Sequence, residues 1–86
     1  MDRCLIMCVG ITIRELRASN NISQEKLAEK SNLDRTYISG IERGVRNISL
    51  NNLERVMRAF NITTSSFLEL LAANILIMYK NDESKK

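Results

Sequence analysis

Apolar residues in this chain come in short bursts separated by polar pairs, and within each burst the spacing is helical. Val9, Ile13 and Leu16 stand three and four apart, with Arg14, Glu15 and Arg17 on the wetter side, which predicts a first helix over about 5–19. Asn20 and Asn21 tolerate turn conformations and stop it. Ser23 is a natural N-cap for a second helix, with Glu25 complementing the dipole in its first turn; Lys26 at the third helical position means that no capping box forms. Leu27 and Ala28 face inward, and Asn32 is suited to a left-handed residue at the end. Asp34 is placed to cap a third helix over 35–43, with Ile38 and Ile41 on its inner face and Gly44 just past its end. Residues 45–48 read as a loop.

Ser49 opens a fourth helix, with Leu50, Leu53, Val56, Met57 and Phe60 as its apolar stripe. Residues 61–64 read as a turn. Ser65 or Ser66 then caps a fifth helix that runs to about residue 79, and the charged tail 81–86 is expected to fray. Five helices with such short connections predict an all-α fold, one compact bundle over residues 1–86.

Composition narrows this reading. Eighty-six residues make one domain, and a chain this short often gains stability by oligomerising. No proline, three glycines and 5% aromatic residues favour helices over a β-sandwich. The net charge of +3 permits nucleic-acid binding without establishing it. There is no histidine, no phosphate-cradling glycine loop and no cluster of inward-facing acids, so no catalytic residues, cofactor or enzymatic activity are expected. Cys4 and Cys8 lie one helical turn apart and read as buried, reduced thiols; a metal site would need two further ligands, and none lies nearby in sequence. The apolar run 4–13 is too short to span a membrane and is followed by Arg14-Glu15-Leu16 with no small-residue cleavage site, so a cytoplasmic protein with no membrane partner is expected. Either Met1 or Met7 can serve as the start.

The segment from Ser23 to Gly44 carries the chemistry. Two short helices that cross closely need a small residue, which Ala28 supplies. The tight turn between them needs a residue that accepts positive φ, and Asn32 is one. Leu33 can plug the angle between the helices, and Ile38 and Ile41 anchor the second to the core. Its other side carries Arg35, Thr36, Ser39 and Arg43, the hydrogen-bonding groups that a major-groove reader presents.

This segment resembles the lambda-repressor-like (XRE-type) helix-turn-helix regulators, over about residues 10–62. The likeness is strongest in Ser23-Gln24-Glu25-Lys26-Leu27-Ala28 and in Ile38-Ser39-Gly40-Ile41-Glu42-Arg43-Gly44, and Asn32 stands where those proteins usually have glycine. The run from Ser31 to Arg43, followed by Arg46-Asn47, is similar to the controller proteins of restriction–modification systems. That resemblance implies a small homodimer that binds palindromic double-stranded operator DNA, in some systems as two dimers. It also implies activation at low occupancy and repression at high occupancy, with RNA polymerase as a further partner. Phage repressors and antitoxins share much of the same pattern.

On this reading Arg35 pairs with guanine, unless it is simply a solvated arginine. Thr36 meets a base edge or a thymine methyl, or bonds locally; Tyr37 stacks on sugar or touches a thymine methyl, or packs on the second helix. Ser39 reaches a base or a phosphate. Gln24, Arg43, Arg46 and Asn47 are phosphate contacts, with Arg46 able to reach a base. The resemblance also implies that Glu42 pairs with Arg17 of the first helix. The fifth helix is apolar around nearly its whole circumference, so it needs a second partner surface. Phe67, Leu68, Leu71, Ile75 and Met78 are the expected homodimer interface.

Overall fold

The computed structural model describes residues 4–84, with side chains described through residue 81. Its helices are α1 (Cys4–Asn20), α2 (Gln24–Ser31), α3 (Arg35–Glu42), α4 (Leu50–Ala59) and α5 (Thr64–Ser84), and among the described residues there is no strand. Met1, one of the two candidate starts, lies outside the described residues, as do positions 85–86 of the expected tail; positions 81–84 continue α5.

The helix ends follow local chemistry. Ser23 and Ser49 accept hydrogen bonds from the backbone N–H groups of Lys26 (3.0 Å) and Asn52 (3.1 Å). Asn21, Asn32 and Asn61 sit at φ of 59°, 58° and 54°, so asparagine closes the turns after α1, α2 and α4 in the left-handed region. Gly44 does the same after α3 at φ 76°. Two expectations about caps are corrected. Asp34 has the extended backbone of a cap residue, yet its side chain makes no capping bond. The fifth helix is capped by Thr63, whose hydroxyl accepts from the Ser66 N–H at 3.1 Å, so that helix starts two residues before the earlier of the two serines would allow.

One core joins the helices. Ile13, Leu27, Ile38, Ile41, Val56 and Phe67 are buried at its centre, with Leu33 packed on its edge. Each such side chain stabilises the fold by roughly 1.5–3 kcal/mol relative to an exposed one. Gly10 and Ala28 are buried where helices meet. At Gly10 the approach is so close that a Cβ would strike the Ile41 carbonyl oxygen of α3. Leu50 is a correction: it is 82% exposed, so the core stripe of α4 begins at Leu53.

The register of α5 on α1 is set by polar and sulfur contacts. Asn74 Nδ2 donates to Thr12 Oγ1 (2.9 Å) and to Glu15 Oε1 (2.9 Å), while the buried Thr12 hydroxyl donates back to the Cys8 carbonyl (2.7 Å). One turn further along both helices, the Cys8 thiol meets Met78 Sδ at 3.8 Å. This register turns Phe67 and Leu71 into the chain's own core, at 0% and 7% exposure, so they leave the expected interface set. Ile75 and Met78 are half-buried; Leu68, Leu70, Leu76, Ile77 and Tyr79 face outward.

Among the described residues no single helix is long and apolar enough to cross a membrane. The pair α4 and α5 has the composition for it only when taken together, and it is bent by 105° at the turn.

Candidate nucleic-acid interface

The turn between α2 and α3 places the candidate residues. Leu33 N–H donates to the Ala28 carbonyl at 2.9 Å across the left-handed Asn32, which folds α3 back against α2. Ile38, Ile41 and Glu42 face inward from α3. At about 100° per residue, Arg35, Thr36, Ser39 and Arg43 then fall within an arc of about 100° that faces away from Ile38 and Ile41 and borders Glu42. Arg35, Thr36 and Arg43 are exposed, and Ser39 is half-buried. Three hydrogen-bonding side chains therefore stand free in one stripe, with a fourth beside them.

Two elements outside the α3 stripe extend it. Arg46 and Asn47, both exposed, lie in the loop after α3. That loop is tied to the helix by the Val45 and Arg46 N–H groups, which donate to the Gly40 carbonyl at 3.0 and 3.2 Å. The stem of Arg46 runs across Gly40 so closely that a Cβ there would collide with its Cγ. Its guanidinium lies 5.2 Å from the centre of the Tyr37 ring, a cation–π distance. Tyr37 is half-buried, and its hydroxyl accepts from Asn52 Nδ2 at 3.1 Å. Tyr37 thus bonds to α4, packs on the core and faces Arg46. Asn52 was not legible as a site residue, because nothing in the α4 pattern distinguishes it from a solvated first-turn asparagine.

Behind the stripe lies a buried ionic brace. Glu42, 4% exposed, accepts from Arg17 Nε at 2.7 Å and from Arg17 Nη2 at 2.8 Å, a bidentate pair. Arg17 Nη1 also donates to the Ile22 carbonyl at 3.1 Å. The hydrogen bond to Glu42 raises the Arg17 pKa above its ordinary value, so the guanidinium stays charged. Gln24 joins the brace, with Nε2 donating to Glu42 Oε1 at 3.1 Å. The expectation that Gln24 is free for phosphate is corrected to that extent: one of its two amide protons is committed inside the protein. Arg17, Ser23, Gln24, Glu25 and Arg35 line an open depression where α2 and α3 begin.

A family profile described as helix-turn-helix matches residues 13–67, which takes in α2, α3 and the helices that carry them. The chain belongs to the helix-turn-helix family. This helix-turn-helix chain is 48% identical over 70 residues to the control protein C.BamHI of Bacillus amyloliquefaciens, covering 80% of this chain and 86% of that one. Its fold is similar to the wild-type restriction–modification controller protein C.Esp1396I, with a TM-score of 0.81 and 44% identity over 84% of this chain and 95% of the other. It is equally similar, at a TM-score of 0.80 and 44% identity over 84% of this chain and 95% of that one, to the C.Esp1396I tetramer in complex with its natural 35-base-pair operator.

Among the described residues no three His, Cys, Asp or Glu side chains gather to hold a metal. Cys4 and Cys8 are both free thiols; Cys8 is fully buried and Cys4 half-buried, so only one of the pair meets the expectation of burial. Burial, and then the neighbouring Cys4, push the Cys8 thiol up from its ordinary 9.0 to about 11.

Proposed function

We propose that this chain is the controller protein of a restriction–modification system, a sequence-specific transcription regulator that binds palindromic operator DNA as a homodimer. The observation that carries this is the exposed stripe Arg35, Thr36, Ser39 and Arg43 on a helix braced from behind by Arg17–Glu42. Its relationship to control proteins, one of them seen on its operator, supports the same reading.

Arg35 and Thr36, in the first turn of α3, are the base readers. Ser39 serves either a base or a phosphate. Arg43 and Asn47 neutralise or bond phosphates, and Gln24 has one amide proton left for the same purpose. Arg46 is aimed by Tyr37. The dimer forms on the outward apolar surface of α5, centred on Leu68 with Ile75 and Met78 at its edge. That surface continues into a groove of about 330 Å³ lined by Leu5, Ile6, Leu50 and Leu53 among others. A two-fold partner then sets two α3 helices about 34 Å apart, in successive major grooves. Such a protein acts at the chromosome, hence in the cytoplasm, and carries out no chemistry of its own.

The test compares binding to the DNA upstream of the chain's own gene with binding to scrambled DNA. We expect an operator preference of at least about 10³ at physiological salt. Arg35→Ala should erase most of that preference. Arg43→Ala should weaken both DNAs alike and lower the salt slope by about one. Equal affinity of the native chain for both DNAs refutes the reading.

A further inference from the structure

The register that seats Asn74 on Thr12 also brings three sulfur atoms together at the outer end of α1. Cys4 Sγ and Cys8 Sγ lie 4.0 Å apart, and Cys8 Sγ lies 3.8 Å from Met78 Sδ, seventy residues away in sequence. The sequence alone shows only two sulfurs on one helical face; the fold supplies the third. With metal–sulfur bonds of about 2.3 Å, three sulfurs around one ion stand roughly 4.0 Å apart in a trigonal plane and roughly 3.8 Å apart in a tetrahedron. The two separations in the protein are already of that size. DNA recognition uses none of these groups, and of the three only half-buried Met78 reaches the edge of the outward face of α5.

The ligand set selects the ion. Two thiolates and a thioether, in a chain with no histidine, are soft donors that suit monovalent copper far better than zinc, calcium or magnesium. Half-buried Cys4, in the first turn of α1, gives the ion a way in, while Cys8 and Met78 form the wall behind it. We propose that Cys4, Cys8 and Met78 form a binding site for Cu(I) that fastens α5 to α1. Each thiol gives up its proton as its sulfur takes the metal, so one Cu(I) bound releases two protons to solvent; the thioether binds without proton loss and no electron is transferred.

The experiment titrates the reduced, full-length protein with Cu(I) under anaerobic conditions against a chromophoric Cu(I) chelator. The expected result is one Cu(I) per chain withdrawn from the chelator, with a rise in Tm and unchanged helical circular dichroism. Cys4→Ser, a replacement outside the core, should weaken binding by more than the roughly 10–100-fold that loss of a supporting group costs. Met78→Leu keeps the side-chain volume and should weaken binding about tenfold or more, whereas Met7→Leu should change nothing. Failure of the native chain to retain one equivalent overturns the proposal, as does Zn(II) displacing Cu(I) at equal concentration. Unaltered affinity in Met78→Leu overturns it too, since α5 would then supply no ligand. DNA binding is not needed for any of these readouts, so they stand apart from the test of the regulator.

Discussion

Replacing Glu42 with alanine tests whether the recognition helix is braced by a buried ion pair. The wild-type carboxylate takes three hydrogen bonds, two from Arg17 and one from Gln24, and its side chain is 1% exposed. Alanine would leave the Arg17 guanidinium, whose side chain is 19% exposed, with only its bond to the Ile22 carbonyl. Stranding one member of a buried pair costs about 3–5 kcal/mol. The partial exposure of Arg17 lets water recover some of this, which places the expected loss near the lower end, about 3 kcal/mol. With a urea m-value of about 1.5 kcal/mol/M, that loss lowers the unfolding midpoint by about 2 M. Because any self-association adds to apparent stability, all variants must be compared at one protein concentration. The control is Glu29→Ala, which breaks the Lys26–Glu29 pair at 3.0 Å; those side chains are 52% and 72% exposed. That change should cost less than about 0.5 kcal/mol. The double variant Arg17→Met, Glu42→Leu removes both charges and should regain most of the loss. A cost for Glu42→Ala below about 1 kcal/mol, or equal to that of Glu29→Ala, would refute the reasoning.

Three further outcomes are expected. Gly10→Ala drives a methyl group into the Ile41 carbonyl, a backbone atom that cannot swing aside, and should cost about 3 kcal/mol in chemical denaturation. Leu50→Lys, at a residue 82% exposed, should leave monomer stability within about 0.5 kcal/mol yet shift sedimentation from dimer to monomer. The buried Cys8 thiol ionises near 11 when folded and near 9.0 when exposed by unfolding, so folding favours the protonated form. Its contribution is complete below pH 9.0, falls as pH rises and is gone above about 11, a limb that equilibrium unfolding of Cys8→Ala should lack.

Most helix boundaries were legible because their signals are local. Ser23 and Ser49 cap, and Asn21, Asn32 and Asn61 close turns, through atoms within a few residues of one another. The stripe on α3 was legible for the same reason: its outer arc is fixed once Ile38 and Ile41 are known to face inward. What the pattern could not show is which groups meet across the fold. Asp34 reads as a cap and makes no such bond, whereas Thr63 does so two helices later. Gln24 reads as a phosphate contact, but the carboxylate eighteen residues away takes one of its two amide protons. Tyr37, Arg46 and Asn52 form one unit across α3, a loop and α4, and no periodicity couples them.

The fifth helix shows the same division more sharply. A helix apolar on every side has no preferred inner face that its own pattern can reveal. The choice is made by Asn74, the one amide within its apolar stretch, which bonds the buried Thr12 and so fixes the rotation of α5. Once that rotation is set, Phe67 and Leu71 go to the core, and Leu68, Leu76, Ile77 and Tyr79 are left 51%, 62%, 56% and 39% exposed. Half-burying such a side chain is worth about 1 kcal/mol, so these four and the 43% exposed Leu70, from each of two protomers, supply at most about 10 kcal/mol. Association itself costs about 4–15 kcal/mol, so α5 alone makes at best a weak dimer. A stable dimer therefore needs apolar surface beyond α5. Leu5 and Leu50, 58% and 82% exposed beside Leu68 in the same groove, are positioned to provide it. The exposure of Leu50, anomalous for the first apolar residue of a core helix, is accounted for if its burial is completed by the second copy.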